Sequence, residues 1–154
     1  MRIWTIYLSG EIHTDWREQI MQGAEALKLP VEFTSAVTDH DSSDAAGDVL
    51  GKPEQQFWRD HQSSKINAIR IKNLIEECDL AIIRFGDKYK QWNAAFDAGF
   101  AAALGKPLII MHQHDHAHAL KEIDAAAHAV VETTEQIVNI LRYVTRGELH
   151  VKSV

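Results

Sequence analysis

The chain has little of what many functions require. It holds one cysteine, Cys78, so an intrachain disulfide framework is excluded. Proline occurs three times in 154 residues, too rarely for an extended proline-rich linker. Basic residues number 16 against 22 acidic ones, a net charge of −6. That balance argues against a nucleic-acid backbone or an anionic membrane surface as the main partner, since both call for a basic face. No apolar run approaches the roughly 20 residues of a membrane span. The opening stretch MRIWTIYLSGEIH lacks a signal-peptide layout, so a cytoplasmic protein is expected. There is no GxxxxGK[ST] loop, no GxGxxG fingerprint and no HExxH pair. No cofactor is therefore expected.

What is present is an alternation of two periodicities, without internal repeats, over a single domain spanning residues 1–154. Apolar, β-branched runs at 3–8, 31–37, 80–85, 108–111 and 129–131 read as five strands. Helical segments are expected from Trp16 to about Lys28, Gln55 to Glu77 with a break near Ser63-Ser64, Asn93 to Leu104, Ala117 to Ala127, and Thr134 to about Thr145. Asp15 with Glu18, and Thr133 with Gln136, resemble capping boxes. Gly105 and Pro107 mark a helix stop. The stretch from Thr38 to Glu54, with DHDSSD, Gly51 and Pro53, reads as a long polar loop. Strands alternating with helices imply a parallel sheet covered on both faces. The commonest order at this length is flavodoxin-like, 2-1-3-4-5, a three-layer α/β sandwich. Its crevice opens between the first and third strands at their carboxyl ends. The loops SGEIHTDW and GDKYKQWN leave from those ends.

Several side chains could carry chemistry there. Asp97 is the only charged residue in a helix of small and apolar residues. In an early turn the helix dipole favours its ionised form, which suits a nucleophile that accepts a glycosyl group. The same pattern fits a solvent-facing Asp on an otherwise packed helix. Gly10 allows a sharp turn and close backbone approach. Ser9 and Asn93 can bind sugar hydroxyls, and Glu11 can act as general acid or hydroxyl acceptor, or be a plain surface turn residue. His13 and Gly86 lie in the same two loops. Trp92, Tyr89 and Phe85 can stack on a planar ring, although Phe85 also suits a core position. Asp41 and Asp44 can bind hydroxyls or a cation, or be solvated loop acids, and EF-hand spacing is not met. His112, His114, His116 and His118 would point to one side of an extended chain. Their spacing does not suit structural zinc, and no metal site is expected. Cys78 fits a small core residue.

Ile6-Tyr7-Leu8-Ser9-Gly10, Cys78-Asp79-Leu80-Ala81-Ile82-Ile83, Ala94-Ala95-Phe96-Asp97-Ala98-Gly99-Phe100-Ala101 and Gly105-Lys106-Pro107 stand in an order and spacing that resemble the nucleoside 2-deoxyribosyltransferase family. YLSGEIHTDWR, DHDSSD, FGDKYKQWN and VVETTEQ resemble its YtoQ-like branch. The resemblance implies cleavage of an N-glycosidic bond with retention, with Asp97 as nucleophile, Tyr7 hydrogen-bonded to it and Gly10 against the base. It also implies a homo-oligomer. Three departures stand out. The family nucleophile is Glu, longer by one methylene, about 1.5 Å of reach. The family acid six residues earlier is replaced by Gln91, and one on the preceding helix falls at Ile71 or Arg70. The expected activity is a deoxyribosyltransferase or a nucleoside or nucleotide N-glycoside hydrolase. The alternative is a non-catalytic nucleoside or nucleotide sensor.

Overall fold

The computed structural model describes residues 1–51 and 54–149. Its five strands are β1 (Trp4–Gly10), β2 (Val31–Ser35), β3 (Leu80–Arg84), β4 (Leu108–Met111) and β5 (Ala129–Val131). They form one all-parallel sheet in the order β2-β1-β3-β4-β5. The flavodoxin-like topology expected from the sequence is present. The helices are α1 (Trp16–Ala26), α2 (His40–Asp44), α3 (Gln56–Glu77), α4 (Trp92–Ala103), α5 (Lys121–Ala126) and α6 (Thr134–Arg146). Among the described residues no helix is long and apolar enough to cross a membrane.

Alternation along the strands divides the core in two. Ile6, Leu8, Ile82 and Ile109 face α1 and α6, where Trp16, Ile20, Ile137 and Leu141 are buried. Tyr7, Ala81, Ile83 and Ile110 face the other side, packed with Ile75 of α3 and Ala94, Ala98 and Ala101 of α4. Alanines on α4 let that helix lie close to the sheet. Cys78 is buried here, immediately after α3, and burial pushes its thiol up in pKa. Phe85 belongs to the same core rather than to a binding surface.

Local departures from the sequence reading have physical reasons. Thr133 and Gln136 form the expected capping box. Asp15 does not: its backbone is not extended, and its carboxylate accepts from Gln19 Nε2 at 2.8 Å instead. The polar stretch after β2 is no open loop. It holds α2, capped by Asp39, and a 3-10 turn at Ala46–Leu50. Pro53 lies outside the described residues. No break occurs in α3, because Ser63 is buried and used as an anchor. Its hydroxyl donates to the carbonyl of Asp44 and accepts from the amide of Gly47 at 3.2 Å. The helix expected from Ala117 begins only at Lys121, after a 3-10 turn at His114–His116.

Candidate active site

Tyr7 and Ser9 are two residues apart on β1, so both side chains leave the sheet on the α4 face. Asp97 in the second turn of α4 meets them. Tyr7 Oη donates to Asp97 Oδ2 at 3.2 Å, and Ser9 Oγ donates to the same oxygen at 2.7 Å. All three residues are buried, Asp97 with only 7% exposure. Oδ1 takes no hydrogen bond among the described residues. It is not a sealed, orphaned atom either, and Asp97 lines a cavity of about 930 Å³. Such a volume suits a small-molecule ligand.

Burial pushes the Asp97 carboxyl above its ordinary value, although the Ser9 and Tyr7 hydroxyls pull the other way. Desolvation thus works against the helix dipole, which the sequence reading invoked in favour of the ionised form. Burial, reinforced by the neighbouring Asp97 charge, drives the Tyr7 phenol well up, so it remains a proton donor at any working pH. Ser9, read as a sugar ligand, gives its one hydroxyl proton to Asp97 and also lines the cavity.

The loop after β1 is tightly organised around Glu11, which is 4% exposed. One carboxylate oxygen accepts from the amide of His13 at 2.8 Å. The other accepts from the Thr14 hydroxyl and lies 3.3 Å from Arg84 Nε. Both oxygens are thus engaged in holding the loop. Gly10 sits at φ +126°, and a Cβ there would stand 2.0 Å from the Arg84 carbonyl oxygen, so no other residue fits. Gly86 makes room for Glu11, whose Cγ would lie 2.8 Å from an added Cβ. Gly86 is not on the cavity wall.

The remaining candidates divide by place. His13, Asp44, Trp92 and Asn93 line the cavity with Ser9, Gly10 and Glu11. The His13 ring packs on Tyr89, centroids 5.0 Å apart. Trp92 and Phe96, one turn apart on α4, are 75% and 73% exposed at the cavity. Asp41 is on α2 and does not line the cavity. Gln91 knits the loop before α4: its Oε1 accepts from Gly86 N, and its Nε2 donates to the carbonyls of Lys88 and Tyr89. Ile71 lines the cavity, whereas Arg70 donates to the Ser35 carbonyl.

The four clustered histidines do not share a side. His112 is buried with Nε2 2.8 Å from Asp124 Oδ2, and His116 Nε2 is 2.7 Å from Asp87. His114 and His118 are exposed. Among the described residues, no group of three or more His, Cys, Asp or Glu side chains is arranged to hold a metal ion.

Sequence reasoning missed Arg17, Asp60 and Asn67, all on the cavity wall. Arg17 is buried, donates to the Glu11 carbonyl at 2.7 Å and lies over the Trp16 ring. Burial lowers its pKa, partly offset by the Glu11 charge. A signal existed. A cation in the first turn of a helix opposes the dipole and needs another reason to be there.

Comparison with known proteins adds three findings. A family model described as nucleoside 2-deoxyribosyltransferase YtoQ matches residues 7–145. The uncharacterized protein YtoQ of Bacillus subtilis (strain 168) is 42% identical over 144 residues, covering 93% of this chain and 97% of that protein. A solved structure of 2-deoxyribosyltransferase from Bacillus psychrosaccharolyticus shares the fold, with a TM-score of 0.55 and 18% identity over 88% of this chain and 90% of that one.

Proposed function

The chain belongs to the YtoQ family of nucleoside 2-deoxyribosyltransferases, and from that premise we propose that it cleaves the N-glycosidic bond of a nucleoside or nucleotide in the cytoplasm. The observation that carries this reading is Asp97: a buried carboxylate with one oxygen held by two hydroxyls and the other open to a cavity. A covalent glycosyl intermediate needs a carboxylate in that arrangement. The carboxylate attacks the anomeric carbon while the carbon–nitrogen bond breaks, and the electron pair leaves with the base. Water or a second base then displaces the carboxylate, giving hydrolysis or transfer with retained configuration. Tyr7 orients Asp97. Trp92 stacks on the base, and Asn93 and Asp44 bind sugar hydroxyls. Glu11 serves as the acid for the leaving base only by releasing one of its present partners; otherwise it acts by shaping the loop around Gly10 and His13. The substrate is a small molecule, not a nucleic acid. Trp92 and Phe96 also suit self-association, and the enzyme works as a homo-oligomer.

The test is a panel of ribo- and deoxyribonucleosides and their 5′-monophosphates, with and without acceptor bases, followed by chromatography of the freed base. Turnover is expected for the native enzyme, with a loss of about a thousandfold or more in Asp97→Asn. Full activity in Asp97→Asn would sink the proposal. Thermal stabilisation by nucleotides with no product from any of them would favour a sensor instead, a reading that the Gln91 and Ile71 replacements of family acids support.

A further inference from the structure

Ser9 and Asp97 are 88 residues apart in sequence, and their 2.7 Å hydrogen bond is shorter than the 3.2 Å bond from Tyr7. An aspartate carboxyl turns about a terminal torsion with broad, roughly two-fold preferences. One donor restrains that torsion; two donors converging on Oδ2 settle which oxygen faces the cavity. Ser9 is 4% exposed at the end of β1, and its single hydroxyl proton is committed to the carboxylate.

We propose that Ser9 is a positioning residue for the glycosyl-transfer step: together with Tyr7 it pins Oδ2 and leaves Oδ1 as the atom that bonds the anomeric carbon. The proposal rests on the N-glycoside reading above. In the step, an Oδ1 lone pair forms the oxygen–carbon bond. The carbon–nitrogen bond breaks, its electron pair passes to the base, and the base nitrogen takes a proton from water. Oδ2 becomes the carbonyl oxygen of the resulting ester and still accepts from both hydroxyls. The carboxylate is thus held close to its reacting geometry before substrate arrives. The Ser9 donor also opposes the burial that favours the neutral acid.

Two measurements on Ser9→Ala and Ser9→Thr, each checked for native circular dichroism, decide the matter. The first is carbon-13 NMR titration of the Asp97 side-chain carboxyl, identified by its disappearance in Asp97→Asn. It needs no substrate. Loss of a donor to the carboxylate raises its pKa, so the Ser9→Ala midpoint is expected about one pH unit higher, and Ser9→Thr restores it. An unmoved midpoint overturns the proposal. The second is kinetic. Ser9→Ala is expected to lower kcat about ten- to a hundredfold, the worth of one hydrogen bond to a charged group, with KM changed less than about threefold. The acid limb of kcat/KM moves up in pH by the same amount as the NMR midpoint. A raised KM with kcat and the acid limb unmoved assigns Ser9 to the sugar and overturns the proposal. Failure of the native enzyme on every nucleoside and nucleotide overturns the N-glycoside reading itself, a result separate from either Ser9 outcome.

Discussion

Asp97 is placed where the role proposed for it and the stability of the fold pull in opposite directions. Burial raises its carboxyl above the ordinary 3.8, so the native state holds the proton more tightly than the unfolded chain does. Stability then falls as pH rises through this range, and the loss is complete above the native pKa. Asp97→Asn removes the ionisable group but keeps an oxygen for the two hydroxyls. Thermal unfolding is expected to show Asp97→Asn melting a few degrees above the native protein near about pH 7. The gap closes as pH falls to about 4, where little of that loss remains. An inactive but equally stable variant at neutral pH would contradict the desolvation account. The pair of donors was only half legible beforehand. Tyr7 followed from family resemblance, whereas the Ser9 contact depends on a helix packing 88 residues later and leaves no local pattern.

At the scale of elements, legibility followed burial. Leu80–Arg84 and Leu108–Met111 are buried strands, read directly from apolar runs between turn residues. Gly105 ends α4 in the left-handed conformation expected of it, with the Lys106 amide reaching back to the Ala101 carbonyl. The segment between β2 and α3 escaped, since a five-residue helix and a short 3-10 turn carry too little periodicity to be seen. What holds that segment is long-range: Ser63 bonds Asp44 and Gly47, and Asn67 Nδ2 donates to the Ser43 carbonyl at 3.0 Å. A Cβ on Gly47 would lie 2.6 Å from the Ser63 backbone nitrogen. Ser63→Ala and Gly47→Ala are each expected to cost about 1–3 kcal/mol in denaturant unfolding, the first through unpartnered backbone groups and the second through overpacking. Because Ser43 and Asp44 form part of the cavity wall, both variants should raise KM several-fold while kcat stays within about twofold. An unchanged KM would show that this wall does not touch substrate.

At the scale of the molecule, three aromatic residues stand together on the cavity wall. Trp92, Phe96 and Tyr89 are all largely exposed, and exposed apolar surface gathered in one place suits an interface. Sedimentation velocity is expected to give a mass at least twice that of one chain, and Phe96→Glu to shift the distribution toward the single chain. A native protein that sediments as one chain at all concentrations would refute self-association. The contact between Ser9 and Asp97 also couples two stretches of the chain that are 88 residues apart. A carboxylate longer by one methylene has to share the space around Oδ2 with the Ser9 and Tyr7 hydroxyls or extend toward the cavity. Removing the Ser9 hydroxyl leaves Asp97 with the Tyr7 donor alone. In a double-mutant cycle of Ser9→Ala and Asp97→Glu, read by denaturant unfolding, the two effects are expected to depart from additivity by more than about 0.5 kcal/mol, and strict additivity would show that the contact carries no energy.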